Sequence, residues 1–232
     1  MTLRSFRRDS RVLARMRDRW DERAAQNSRH YIANGKAVWS DDEFNRSGEE
    51  TVEWDILSDM GNICQGMDPK QMAILEIGCG VGRVTRALAK LFGEVHAVDI
   101  SGEMIKQARE ALKALANVHV HQNSGADLRV LGKRQFDFAY STCVFHHIGS
   151  RKIIERYVRE VNRHLRPGAL FKFEVQGCLG VEEDPEENWV GAPFSGRDVV
   201  EMAVRCGFDP RYRHGEGQER FWLWFFKWPE VR

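Results

Sequence analysis

From residue 71 onward, short apolar runs alternate with amphipathic stretches. Four of these runs predict buried strands at 73–77, 94–99, 118–121 and 136–140. The amphipathic stretches predict helices near 83–92 and 102–115 and, after the fourth strand, one with Ile153, Ile154, Tyr157, Val158, Val161 and Leu165 facing inward. A fifth strand at 170–175, a helix near 196–206 and closing strands near 208–213 and 219–228 complete the pattern. This alternation predicts an α/β fold with a doubly wound, mostly parallel sheet covered on both faces.

The first 48 residues are polar and rich in arginine, and they carry only isolated aromatic residues. Leu13, Met16 and Trp20 follow a helical spacing, which predicts an amphipathic helix that docks on another surface. We therefore predict an N-terminal helical and loop extension at 1–48, acting as a lid or docking segment, and a second unit at 49–232.

The composition bounds the class of protein. The 232 residues are 42% hydrophobic and 30% charged, which suits a soluble α/β domain with a modest extension. The net charge of +1 gives no electrostatic reason to expect nucleic acid as a partner. The sequence has no apolar run of 18 residues, so no membrane span is predicted. Five widely spaced cysteines without an export signal predict reduced thiols in the cytoplasm, and no Cys/His spacing is typical of zinc, so no metal is predicted.

Three glycines follow the first predicted strand. Gly78, Gly80 and Gly82 open the next helix, and Asp99 ends the second strand 21 residues after Gly78. Glycines let a backbone approach a ligand closely, and a carboxylate at Asp99 can accept hydrogen bonds from ribose hydroxyls. Dinucleotide-binding proteins would have a further glycine where this chain has Arg83, so the spacing favours S-adenosylmethionine (SAM) over NAD. A tight strand-to-helix turn without a ligand is the alternative.

The chain here resembles the class I (Rossmann-like) SAM-dependent methyltransferases. Five stretches match the motifs of that family in order: 76–82, 98–104, 125–128, 136–141 and 165–170. The resemblance implies a seven-stranded sheet whose last strand is antiparallel and lies between the fifth and sixth. It also implies SAM as the cofactor and S-adenosylhomocysteine (SAH) as the product.

The same resemblance implies which residues hold the cofactor. Asp99 would hold the ribose, Ile100 would pack on adenine, and Asp127 would meet the adenine amino group. The implied cofactor-binding set is Glu76, Gly78, Cys79, Gly80, Gly82, Arg83, Asp99, Ile100, Met104, Ala126, Asp127, Leu128, Tyr140 and Ser141.

The loop after the fourth strand should border the methyl group, because ligands lie beyond the carboxyl ends of such strands. It contains His146 and His147, which we predict as general bases for the acceptor. The alternative is that one of them packs and orders the loop. The loop lacks the Asn/Asp-Pro-Pro-aromatic tetrad of enzymes that methylate exocyclic amines of nucleic-acid bases. It also lacks the Pro-Cys pair of cytosine C5 enzymes, so Cys143 is not expected to act as a nucleophile and is read, like Cys79, as a packing residue.

Loop 176–195 and the extension are predicted lids, with Trp20, Tyr31, Trp39, Trp189 and Phe194 lining a pocket or docking the extension. The acidic turn 182–187 would meet a cationic substrate or form a solvated face. The sequence thus predicts methyl transfer to O, N or C of a small molecule. The alternatives are a protein- or tRNA-directed methyltransferase, a SAM-binding protein without catalysis, and an NAD-dependent oxidoreductase. The acceptor and the oligomeric state stay open.

Overall fold

A computed structural model describes residues 3–33, 36–180 and 190–229. These residues form a seven-stranded sheet in the order β3-β2-β1-β4-β5-β7-β6. The strands are β1 (Ala73–Ile77), β2 (Glu94–Asp99), β3 (Val118–Gln122), β4 (Phe136–Ser141), β5 (Leu165–Val175), β6 (Phe208–His214) and β7 (Phe221–Lys227). The helices are α1 (Leu3–Ile32), α2 (Asp41–Asp55), α3 (Met60–Cys64), α4 (Arg83–Leu91), α5 (Gly102–Leu112), α6 (Arg151–His164) and α7 (Gly196–Arg205).

The first five strands are parallel, and β7 runs antiparallel between β5 and β6. The predicted doubly wound sheet, including the inserted antiparallel last strand, is therefore confirmed. One strand differs in length, because β5 begins at Leu165 rather than at residue 170. The β4–β5 ladder shifts register between Phe136 and Phe138, and Gly168 has a φ of 82°. Pro167, predicted to lie in a turn before the strand, thus lies in a bulge within it.

Two apolar cores lie on opposite faces of the sheet. One core packs the inward faces of α6 and α7 against side chains such as Leu75, Val98 and Phe171. The other packs α2, α3 and α4 against the alternate side chains, such as Ile74 and Phe138. Because side chains alternate along each strand, buried strands with apolar residues at successive positions supply both cores.

The N-terminal helices lie over the carboxyl ends of the parallel strands. In α1, Leu13 and Met16 are buried as the amphipathic pattern predicts, and the helix kinks at Asn27, whose side-chain amide donates to the Ala37 carbonyl at 2.9 Å. The next helix begins after Ser40, which forms a reciprocal capping box with Glu43. The predicted border at residue 48 lies within α2. Across the described ranges, no helix is both long enough and apolar enough to span a bilayer.

Candidate active site

A cavity of about 650 Å³ lies beyond the carboxyl ends of β1, β2 and β4. The glycine-rich loop after β1 and the loop after β4 form its floor, while Met16, Trp20 and Ile32 of α1 line the opposite side. The volume is typical of small-molecule sites, which span about 300–1,000 Å³. Helix α1 therefore covers the place at which the sequence predicts a ligand.

The glycine-rich loop is shaped by protein neighbours as well as by the space it leaves for a ligand. Gly78 has a φ of 76°, and a Cβ there would lie 2.1 Å from Cγ2 of Val144 in the loop after β4. Gly80 has a φ of 53°, and its missing Cβ would lie 3.3 Å from Ile32 of α1. Both positive φ values favour glycine, and at Gly78 the close approach of Val144 also requires it. The motif thus also positions two elements that enclose the cavity.

Asp99 lies at the end of β2 and accepts hydrogen bonds from backbone amides. Its Oδ2 accepts a hydrogen bond from the Gly80 amide at 2.9 Å, and its Oδ1 accepts one from the Ser101 amide at 2.9 Å. Burial nevertheless raises the pKa of Asp99 above its usual range, and these amides offset only part of that effect. Each oxygen keeps a lone pair for a further donor, as a ribose hydroxyl would supply.

Helix α1 is fastened beside Asp99 by another carboxylate. Asp21 accepts from the Ser101 hydroxyl at 2.5 Å and from the Glu103 amide at 3.0 Å, at the N-terminus of α5. The amides of a helix N-terminus favour a carboxylate there. Asp21 was not predicted as part of the site, because nothing along the chain shows that α1 meets α5.

Asn123, directly after β3, is a second residue that the sequence analysis overlooked. Its amide nitrogen donates to the Tyr157 hydroxyl at 2.9 Å. Its Oδ1 is buried, has no hydrogen-bond partner among the described residues, and belongs to a side chain that lines the cavity. A buried acceptor without a partner costs free energy, so this oxygen suits a ligand that donates an N–H or O–H group.

The other end of the cavity contains a charged network around Glu174 of β5. The fully buried Glu174 carboxylate accepts from the Cys143 amide at 2.6 Å and from Nε of Arg220 at 2.5 Å. Arg220 also donates to the Thr142 hydroxyl at 2.9 Å. Burial opposes ionisation, but His146 and Arg220 together hold the pKa of Glu174 below its usual range. This network fixes the loop after β4, where Cys143 has a left-handed φ of 57°.

The two predicted bases form a contact pair in the same loop. His146 and His147 lie in a short 3₁₀ helix, with their Nε2 atoms 2.9 Å apart. Nδ1 of His146 lies 3.2 Å from Oε1 of Glu174, and His147 makes an edge-on ring contact with Trp20 of α1. The arrangement therefore joins a buried carboxylate to an imidazole pair that borders the cavity and its cover.

The structure brings most of the predicted site residues together. The cavity is lined by Glu76, Gly78, Cys79, Gly80, Arg83, Asp99, Ile100, Met104, His146 and His147. Six others lie outside its lining: Gly82, Ala126, Asp127, Leu128, Tyr140 and Ser141. The Tyr140 hydroxyl donates to Asp55 at 2.6 Å, and an oxygen of Asp127 accepts from the Arg129 amide at 3.2 Å. The roles of all sixteen toward a cofactor stay predictions.

Among the predicted pocket aromatics, Trp20, Tyr31 and Trp39 line the cavity. Phe194 is buried in the core beside α6, where Arg151 lies over its ring. Trp189 and the acidic turn 182–187 lie outside the described residues.

Comparison with known proteins identifies the fold and the family. Residues 74–168, from β1 into β5, match the family model described as "Methyltransferase domain". Over these residues the chain is a methyltransferase domain of the class I SAM-dependent family. The matched segment contains the glycine-rich loop, Asp99, Asn123 and both loop histidines.

The chain is also similar to two curated methyltransferases. The chain is 27% identical over 144 residues to dTDP-3-amino-3,4,6-trideoxy-alpha-D-glucopyranose N,N-dimethyltransferase of Streptomyces venezuelae, covering 61% of this chain and 56% of that protein. It is 30% identical over 110 residues to malonyl-[acyl-carrier protein] O-methyltransferase of Priestia megaterium, covering 47% of this chain and 38% of that protein. The chain thus spans about half the length, or less, of these relatives.

Solved structures support the fold over nearly the whole chain. Magnesium protoporphyrin IX methyltransferase (ChlM) from Synechocystis PCC 6803, solved with bound SAH, superimposes with a TM-score of 0.64. That likeness covers 91% of this chain and 98% of ChlM at 16% sequence identity. At this identity the likeness shows the fold alone.

Proposed function

We propose that this protein transfers the methyl group of SAM to an oxygen, nitrogen or carbon atom of a small-molecule acceptor. The observation that carries the proposal is one covered cavity with two chemically different ends. One end has Asp99 and Asn123, and the other has His146 beside the Glu174 network. Because α1 lies over this cavity, its size and cover suit a cofactor with a small acceptor better than a macromolecule.

The residues present fit the cofactor. Buried Asp99 retains acceptor capacity, as two ribose hydroxyls require, and the orphaned Oδ1 of Asn123 can accept from an adenine amino group. Gly78 and Gly80 leave room where a side chain would collide with the enclosing elements. When bound, SAM supplies a methyl group on a positively charged sulfur, and the products are SAH and the methylated acceptor.

Three steps fall to the residues of the chain. The cover formed by α1 excludes water and holds the acceptor near the methyl group, which lowers the entropic cost of an in-line displacement. The imidazole pair of His146 and His147 accepts the proton that an O–H or N–H acceptor loses. The carboxylate of Glu174, 3.2 Å from the other ring nitrogen of His146, stabilises the imidazolium that forms.

The test is an acceptor screen that detects SAH release. Purified full-length protein is incubated with SAM and panels of amino sugars, carboxylic acids, phenols and amines, since the curated relatives are an amino-sugar N-methyltransferase and a carboxyl O-methyltransferase by name. We expect SAH release in at least one panel, and a loss of turnover of about 100-fold or more in His146→Ala with little change in SAH binding. SAM binding without turnover in every panel would instead favour a SAM-binding protein without catalysis.

A further inference from the structure

A second cluster of ligating side chains lies on the sheet far from the cavity. Glu94 and His96 are two residues apart on β2, and His119 and His121 are two residues apart on β3. His96 pairs with His119 in the parallel register, so all four side chains lie on one face of the sheet. Glu94 begins β2 and Asp99 ends it, so the cluster lies about 17 Å from the carboxylate in the cavity.

Two imidazoles converge on one carboxylate oxygen in this cluster. Oε1 of Glu94 lies 2.9 Å from Nε2 of His96 and 3.1 Å from Nε2 of His119. The two rings stack with their centres 4.6 Å apart, and the ligand atoms of Glu94, His96 and His119 all lie within 4.8 Å of one another. Ligand atoms of a tetrahedral zinc ion, at bond lengths of 2.0–2.1 Å, lie about 3.3 Å from one another. The observed separations are therefore close to those of a metal site.

A fourth residue orients the central imidazole. Nδ1 of His96 lies 3.1 Å from Nε2 of His121, and these two rings are also stacked. With its proton on Nδ1 directed at His121, His96 presents the lone pair of Nε2 toward Glu94 and His119. Histidines that bind metals are usually held in this way by a partner at the other ring nitrogen.

Burial and access also suit an ion. The His96 side chain is 2% exposed, whereas those of Glu94 and His119 are 46% and 43% exposed. One ligand is thus fixed in the core while two are open to solvent, so an ion can enter and retain water in its remaining position. Nitrogen ligands with one carboxylate select zinc and similar transition-metal ions over magnesium or calcium.

We propose that Glu94, His96 and His119 bind one zinc-like divalent ion, with His121 as the residue that orients His96. The ion would join β3, the edge strand, to β2 and would stabilise this edge rather than take part in methyl transfer. This departs from the sequence expectation of no metal. No short motif could show the site, because strand pairing brings together ligands that are 25 residues apart.

The test uses Zn²⁺ and Co²⁺ with the full chain after removal of metals by a chelator. Calorimetry and Co²⁺ absorption spectra should show one equivalent bound, with affinity falling 10-fold or more in His119→Ala, Glu94→Gln and His121→Ala. His214→Ala, at the exposed end of β6, is the matched control and should leave the affinity unchanged. Far-UV circular dichroism checks folding, and SAH affinity should change less than twofold.

Two results would overturn the proposal. One is equal affinity for the ion in His119→Ala and in the unaltered protein. The other is a thiolate-to-cobalt charge-transfer band that disappears in Cys143→Ser, because Cys143, His146 and Glu174 form the other described cluster able to hold an ion.

Discussion

The two ends of the cavity bury carboxylates in opposite ways. At one end, Glu76 and Asp99 accept their hydrogen bonds from neutral hydroxyl and amide donors, and burial raises both pKa values. At the other end, Arg220 and His146 hold the pKa of Glu174 below its usual range despite its burial. A carboxylate with few neutral donors keeps lone pairs for further donors from a ligand, whereas a charged network satisfies it internally. The first end is therefore suited to binding, and the second to holding a loop and its histidines in place.

The largest expected effect concerns Glu76, which accepts from the Thr85 hydroxyl at 2.6 Å. Burial raises its pKa from 4.5 to about 7. Between these values the unfolded chain loses the proton while the folded chain keeps it, so the free energy of unfolding falls as the pH rises from 4.5 to 7. Glu76→Gln removes this titration. Its free energy of unfolding should therefore fall by about 3 kcal/mol less than that of the unaltered protein as the pH rises from 4.5 to 7.

Urea denaturation at pH 4 to 8 measures this difference. Glu53→Gln, exposed on α2, is the control and should follow the unaltered profile. Parallel profiles for Glu76→Gln and the unaltered protein would show that Glu76 is ionised in the fold throughout this range.

For Glu174, the dependence of the free energy of unfolding on pH should have the opposite sign. Its lowered pKa means that the carboxylate contributes stability above the unfolded value of 4.5, and this contribution is lost as the pH falls through the folded value. Glu174→Gln should lower the free energy of unfolding by about 2 kcal/mol at pH 7, below the cost of breaking a fully buried pair because Arg220 is half-exposed. A double-mutant cycle with Arg220→Gln measures the coupling. A loss that is no smaller at pH 4 than at pH 7 would contradict the assigned charge.

Sequence reasoning predicted these two ends unequally, for physical reasons. Strand β2 was predicted from its short, largely apolar run, and Asp99 was predicted because it ends that run where ligands of such sheets lie. Glu174 lies inside β5 among apolar residues, and its partners Arg220 and His146 are 46 and 28 positions away in the chain. Such long-range ion pairs have no local signature. The capping box at Ser40 and Glu43, by contrast, is a local signal for α2 that the sequence analysis overlooked.

Cofactor affinity tests the binding end directly. In Asp99→Ala the acceptor for ribose hydroxyls is lost, so SAH should bind about tenfold more weakly, a cost of about 1.4 kcal/mol. Calorimetry with SAM and SAH measures this change, with NADH as a ligand that should not bind. Unchanged SAH affinity would mean that Asp99 only orders the glycine-rich loop.

The smallest effect distinguishes Asn123 from Asp127. Asn123→Ala removes the orphaned acceptor in the cavity and should weaken SAH binding about fivefold, or about 1 kcal/mol. Asp127→Ala, outside the cavity lining, should change it less than twofold. A larger loss of SAH affinity in Asp127→Ala than in Asn123→Ala would instead assign the adenine contact to Asp127, as the family resemblance implies.

The attachment of α1 also bears on how quickly a ligand can leave the cavity. Any ligand that touches Asp99 and Gly80 has α1 on its other side, and α1 is fastened through Asp21 to the start of α5. Release of a bound product would then require this helix to move, a motion of the kind that takes microseconds to milliseconds. We therefore expect the hydrogen bonds of Asp21 to influence how long a ligand stays, although Asp21 itself lies outside the cavity lining.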